Sequence, residues 1–375
     1  VAKLQKMKCF YVLLQLNYNL SINKLTTKKA VMTRKNIALY CILLLVLFGC
    51  NTSTNLSTLN PLHDNKYDSE FPTISVSDEL SYISKTVKKL NILAFYATYS
   101  FPYESKITQN SINDSILEVY SNNMTITHET VSGTASVVYN SNELVGLLTC
   151  AHIVDFNDTI YSYYINENNH VQTISIKIRQ QNHISGLPTG ESLKIAAINI
   201  DKDIALLMKK INPESGDNHE EIQTLNYPIG TVSDLQWGSL VYIMGYPNGN
   251  LMVTQGIASL TNKIKTGLFL SDALYNPGIS GSPVFAIRDG IPNFELVGMA
   301  SAAAAQESNI LIPDKEIVDK TIIKTPYTGD IFVDNNKLIS YGITYSVSID
   351  EISTFIQLNK EGLIANGFEI NDFFK

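Results

Sequence analysis

Gly278-Ile279-Ser280-Gly281-Ser282-Pro283 is the stretch on which the reading of this chain turns. It stands between two apolar stretches. A serine flanked by glycines suits a turn whose backbone N–H groups must approach a reacting group that bulky neighbours would obstruct. An ordinary glycine turn is the bland alternative, so what accompanies the stretch decides.

Two other segments accompany it, Leu148-Thr149-Cys150-Ala151-His152 and Asp203-Ile204-Ala205-Leu206-Leu207, giving the order His, Asp, Ser. Acyl transfer by serine needs a base for the hydroxyl proton, a carboxylate to hold that base in one tautomer, and donors for the oxyanion. His152, Asp203 and Ser280 supply the first parts, and the N–H groups of Gly278 and Ser280 supply the donors. Taken singly, a histidine after an apolar strand is more often structural, and an aspartate before one is usually a turn residue. Together, in this order and within one domain-sized span, coincidence is the weaker explanation.

The same span holds many short β-branched or alternating segments between polar turns: 135–139, 144–150, 174–178, 195–200, 204–208, 240–244, 256–260, 284–287 and 296–301. Such a series predicts a β-sandwich or barrel. Ahead of it, Asp78 can cap an amphipathic helix over 79–90, followed by a β-prone run at 92–99. There is no fixed-period repeat, heptad pattern or glycine-rich phosphate loop.

The chain has 375 residues, 45% hydrophobic and 17% charged, enough for one large or two modest domains. Residues 1–50 hold eight basic side chains and no acidic one, leaving 20 basic against 35 acidic in the remainder. That excess of negative charge repels a phosphate backbone and argues against nucleic acid. Thr33-Arg34-Lys35-Asn36 precedes the 12-residue apolar run Ile37–Phe48, the layout of a secretory signal and short for a membrane span. The run ends Leu47-Phe48-Gly49-Cys50, which resembles a bacterial lipobox and makes Cys50 a lipidated N-terminus. An uncleaved signal anchor is the bland alternative, and either exports the rest to the cell envelope. Met32 is a natural start, so residues 1–31 read as a gene-model extension or leader and 32–50 as the signal. Residues 51–77 have the composition of a disordered tether. Cys150 is then the one ordinary thiol, which rules out an intrachain disulfide framework.

The chain resembles the trypsin-like peptidases, and within them the bacterial HtrA/Deg type and the glutamyl-endopeptidase-like branch, over about residues 78–358. Besides the three segments above, Ser271-Asp272-Ala273-Leu274-Tyr275-Asn276-Pro277-Gly278 looks like that group's approach to its serine. Gly245-Tyr246-Pro247-Asn248-Gly249 and Val253-Thr254-Gln255-Gly256-Ile257 resemble the preceding hairpin. The segment from Tyr341 to Ile352 is similar to the closing strand and helix start, which makes about 306–338 an insertion and 359–375 a tail. A rival alignment puts Ile310-Leu311-Ile312-Pro313 at the closing strand.

The resemblance implies an all-β fold of two antiparallel six-stranded, chymotrypsin-like barrels with a C-terminal helix. His152 and Asp203 come from the first barrel and Ser280 from the second. It implies a serine endopeptidase acting on exported proteins or peptides without metal or cofactor, and leaves open whether the chain assembles with copies of itself. By family position Leu274 lies at the floor of the primary pocket, and Ser301, Ala302 and Ala303 form the strand that pairs with substrate. With no charge in that pocket, cleavage after uncharged or aliphatic residues is expected, because burying an unpaired charge is costly. Ile279 departs from the usual Asp or Asn, removing a polar latch and implying an oxyanion loop that orders on substrate binding. A Cys-x-His pair, Cys150 and His152, suggests metal; with no second cluster a buried structural thiol is the better reading. The other histidines, His63, His128, His170, His183 and His219, read as surface residues. The alternatives are a weakly active or inactive binding lipoprotein of the same fold, and a serine esterase. The order His, Asp, Ser disfavours the esterase.

Overall fold

Alternate residues of β1 (Val87–Ser100) are buried, Leu90, Ile92, Ala94 and Tyr96 among them, as a strand with one face on a core requires. The computed structural model in which this is seen describes residues 64–164, 169–187, 192–211, 222–260, 267–313 and 329–375. The signal, Cys50, His63, His219 and residues 51–63 of the tether lie outside the described residues. The helix expected over 79–90 spans Ser77–Thr86 (α1), and the chain is extended from Val87 onward. β-branched Val87 and then Leu90 are recruited as strand residues, paired with Ser136 and Gly133.

β1 joins β2 (Met124–Asn140), β3 (Leu144–Thr149), β4 (Thr159–Tyr163), β5 (Val171–Ile184), β6 (Lys194–Asn199) and β7 (Ile204–Lys210) in one antiparallel sheet of order β4-β5-β1-β2-β3-β7-β6. It is a curled seven-stranded sheet rather than the closed six-stranded barrel expected of the first half. β1 and β5, at 14 residues each, outrun the main core and carry a second small cluster of Phe101, Ile107, Val171 and Ile174. β4 pairs along that outer part, matching Tyr161 with Ile174.

The second half closes as expected. β8 (Leu240–Gly245), β9 (Met252–Leu260), β10 (Leu268–Ser271), β11 (Pro283–Ile287), β12 (Phe294–Pro313) and β13 (Ile331–Ser348) form a barrel of order β10-β13-β12-β11-β8-β9. Thr344–Val347 of β13 pair with β10 to shut it. Ile310–Pro313 pair instead with Ile331–Asp334, so residues 306–313 and 331–338 extend the β12–β13 hairpin as a ribbon. Helix α2 (Asp114–Val119) and the single turn α3 (Ala151–Val154) precede the C-terminal helices α4 (Ile349–Leu358) and α5 (Lys360–Ala365). Ser348 caps α4 by accepting the Glu351 N–H, and Ile349, Ile352, Phe355 and Ile356 are its buried face.

Both ends of the peptidase-like region are more ordered than composition suggests. Tyr67, inside the stretch read as tether, is buried; its hydroxyl donates to Glu295 at 2.6 Å and the Arg288 guanidinium lies over its ring. The tail after α5 docks too: the rings of Phe368 and Phe373 lie 5.0 and 5.3 Å from that of Tyr139 on β2.

Candidate active site

Each half contributes its residues from the ends of strands. β3 runs straight into α3, whose second residue is His152. The β6–β7 turn places Asp203 in the left-handed region at φ 55°, with its N–H bonded to Ile200 O. Aspartate tolerates that conformation better than most residues. The turn is tied to the C-terminal helix by an ion pair between Lys202 and Glu351 at 3.1 Å. Ser280 lies on the loop between β10 and β11.

The three side chains meet in one line. His152 Nδ1 lies 2.9 Å from both carboxylate oxygens of Asp203, and the His152 backbone N–H donates to Oδ1 at 2.9 Å. His152 Nε2 lies 3.1 Å from Ser280 Oγ. With a carboxylate at Nδ1, the ring proton belongs there, which leaves Nε2 as the acceptor facing the hydroxyl. Burial alone would raise the Asp203 carboxyl, but the hydrogen bonds from His152 and from Ser301 outweigh it and hold the group below the usual range.

Backbone geometry supplies two free donors. Pro277 O accepts from Asn248 N–H at 2.8 Å and Ile279 O from Ser282 N–H at 3.0 Å. In a trans peptide the N–H points opposite to the C=O, so the N–H groups of Gly278 and Ser280 are turned the other way. Among the described residues neither has an acceptor, whereas those of Ile279, Gly281 and Ser282 all do. Gly278 adopts φ 100°, and a Cβ there would stand 2.4 Å from Tyr246 O. Only glycine fits. Ile279 is buried in the core at 2% exposure.

Thr134 of β2, which sequence reasoning passed over, pins this loop to the first sheet. Its Oγ donates to Gly278 O at 2.7 Å and accepts from Tyr246 N–H at 2.9 Å, and its own N–H donates to Ser280 O at 2.8 Å. Ser301, expected on the substrate strand, sits in a bulge of β12 between Ala300 and Ala302 and turns its hydroxyl to Asp203 Oδ2. Ala302 and Ala303 pair with β13 on one side, and no described strand covers their other edge. Leu274 is exposed, while its neighbour Tyr275 reaches Ser280, its hydroxyl in hydrogen-bond contact with Ser280 Oγ and 3.1 Å from Ser301 O. Cys150 is buried beneath the site, its Sγ–H directed at Ala300 O, 3.3 Å away. Its ligand atom and those of His152 and Asp203 lie within 4.8 Å of one another. Burial, reinforced by the Asp203 charge, pushes the Cys150 thiol well up, which keeps it protonated and unreactive.

Residues 133–299, which contain His152, Asp203 and Ser280, match the family model of the trypsin-like peptidase domain. The chain carries a serine-type endopeptidase domain. No curated protein matches it. A solved serine endoprotease from Yersinia pestis is similar at 16% identity over 78% of this chain and 68% of its own, with a TM-score of 0.38. That overlap is too loose for any residue to be carried across.

Proposed function

We propose that His152, Asp203 and Ser280 are the catalytic triad of an endopeptidase that cleaves exported proteins or peptides, held at a membrane through lipid on Cys50. The observation that carries the triad is the unbroken line from Asp203 through His152 to Ser280 Oγ beside two unpartnered N–H groups. Ser280 Oγ attacks the scissile carbonyl carbon as its proton passes to His152 Nε2. Gly278 and Ser280 N–H stabilise the oxyanion, and Asp203 steadies the imidazolium. His152 then gives the proton to the leaving amine, and an acyl-enzyme remains. Water, activated by the same imidazole, releases the acid.

Cleavage after uncharged side chains is the expected preference. Asp272 is the one charged residue from Ser271 to Ser280, and its carboxylate is occupied by the Ile257 N–H at 2.6 Å. The alternative of a weakly active binding lipoprotein has one observation in its favour, the Tyr275 hydroxyl resting on Ser280. A fluorophosphonate and a peptide library, applied to the protein and to Ser280→Ala, test the proposal. Labelling and cleavage lost only in the variant support it. A wild type that neither labels nor cleaves overturns it, and cuts mainly after glutamate overturn the preference.

A further inference from the structure

Ser280 Oγ is in hydrogen-bond contact with three groups: His152 Nε2, Ser301 O at 3.1 Å, and the Tyr275 hydroxyl. Tyr275 Oη is also 3.1 Å from Ser301 O. Counting protons limits what these contacts can be. Ser301 O and His152 Nε2 only accept, and each hydroxyl carries one proton. If Ser280 donates to Nε2, as attack requires, the Tyr275 proton must point at Ser280 Oγ; otherwise two oxygens meet lone pair to lone pair. Burial pushes the Tyr275 phenol up to about 12, so it stays a neutral donor at any working pH.

A donor on the serine oxygen occupies the lone pair that would attack, and its oxygen stands where a carbonyl carbon must come. We propose that Tyr275 caps the nucleophile in the free enzyme and moves aside before any acyl donor is attacked, which makes it a brake on the free site. With its one proton on Ser280 Oγ, the phenol donates nothing to Ser301 O. Every acyl donor, peptide or small ester, therefore breaks the same hydrogen bond to reach Ser280 Oγ.

This inference rests on Ser280 as the nucleophile, and the experiment separates the two. The whole chain, Tyr275→Phe, Tyr275→Ala and Ser280→Ala are compared in the rate constant for labelling by a fluorophosphonate without N–H groups, and in kcat/KM for a cleaved peptide. Tyr275→Phe is expected to label about threefold to tenfold faster, the worth of one neutral hydrogen bond. Its kcat/KM for the peptide should rise by a similar factor, and Tyr275→Ala should move in the same direction. Labelling by a Tyr275 variant when wild type does not label is the extreme of the same result. Equal or slower labelling of Tyr275→Phe refutes the cap, as does a peptide kcat/KM that does not rise. Labelling that survives in Ser280→Ala, or is absent from every protein, refutes the nucleophile assignment and the cap with it.

Discussion

Replacing Thr134 by valine keeps the volume of a wholly buried side chain and removes one oxygen, so its effect can be worked out bond by bond. Gly278 C=O loses a donor at 2.7 Å and Tyr246 N–H loses an acceptor at 2.9 Å, both in the interface between the two halves. A buried group stripped of its partner costs about 1–3 kcal/mol, so the pair should cost about 2–5 kcal/mol of a total near 5–15 kcal/mol. The catalytic consequence is separate. Gly278 O fixes the peptide between the two oxyanion donors, and losing one donor altogether lowers kcat by about 10²–10³. A loosened pair should lower it at least about tenfold, with KM little changed. Urea unfolding followed by circular dichroism and steady-state kinetics on a peptide measure the two effects. Thr134→Ser, which keeps the oxygen, is the control. The reasoning fails if Thr134→Val unfolds within about 0.5 kcal/mol of Thr134→Ser, the scatter of a neutral surface change, and cleaves at the same kcat.

Asp203 and Ile279 give two further tests. The folded carboxyl of Asp203 is held below its unfolded value near 4, so its stabilisation is present above that value and is lost as pH falls through the lower one. Asp203→Asn should therefore lose less of its melting temperature than wild type between about pH 5 and 2, while kcat at neutral pH falls about 10⁴-fold; a parallel acid limb would contradict this. Ile279→Asp restores the family's usual residue, yet it buries a carboxylate in an apolar pocket and should destabilise by several kcal/mol, roughly the cost of an unpaired buried charge. A melting temperature equal to wild type would show that the loop has a polar partner to offer.

The strands were legible because burial on one face writes a period of two into the sequence, and each of the nine segments read as short strands falls on an observed one, with 144–150 and 195–200 running one residue past its end. The closing strand was reached only through resemblance, because the sequence of β13 mixes Asn335, Asn336 and Lys337 with apolar residues. The boundary of α1 was misplaced where helical spacing at Val87 and Leu90 coincided with strand spacing. His152, Asp203 and Ser280 were visible since each sits at the end of a recognisable apolar run. Thr134 and Tyr275 were not: the role of Thr134 is a contact across the two halves, 144 residues away in sequence, and that of Tyr275 is a fold-back of its own loop onto Ser280, which no local pattern encodes. A glycine before Thr134, in Val131-Ser132-Gly133-Thr134, was the available hint of a tight approach.

The base comes from one sheet and the nucleophile from the other, and Thr134, Ser301, Cys150 and Lys202 all make contacts that hold the two together. A chain that has emerged only through β7 owns a histidine and an aspartate but nothing for them to activate. One that has made its barrel without docking it has a serine with no base. Proteolytic power is therefore the last property acquired during synthesis and the first surrendered on loosening, so half-made copies cannot digest one another.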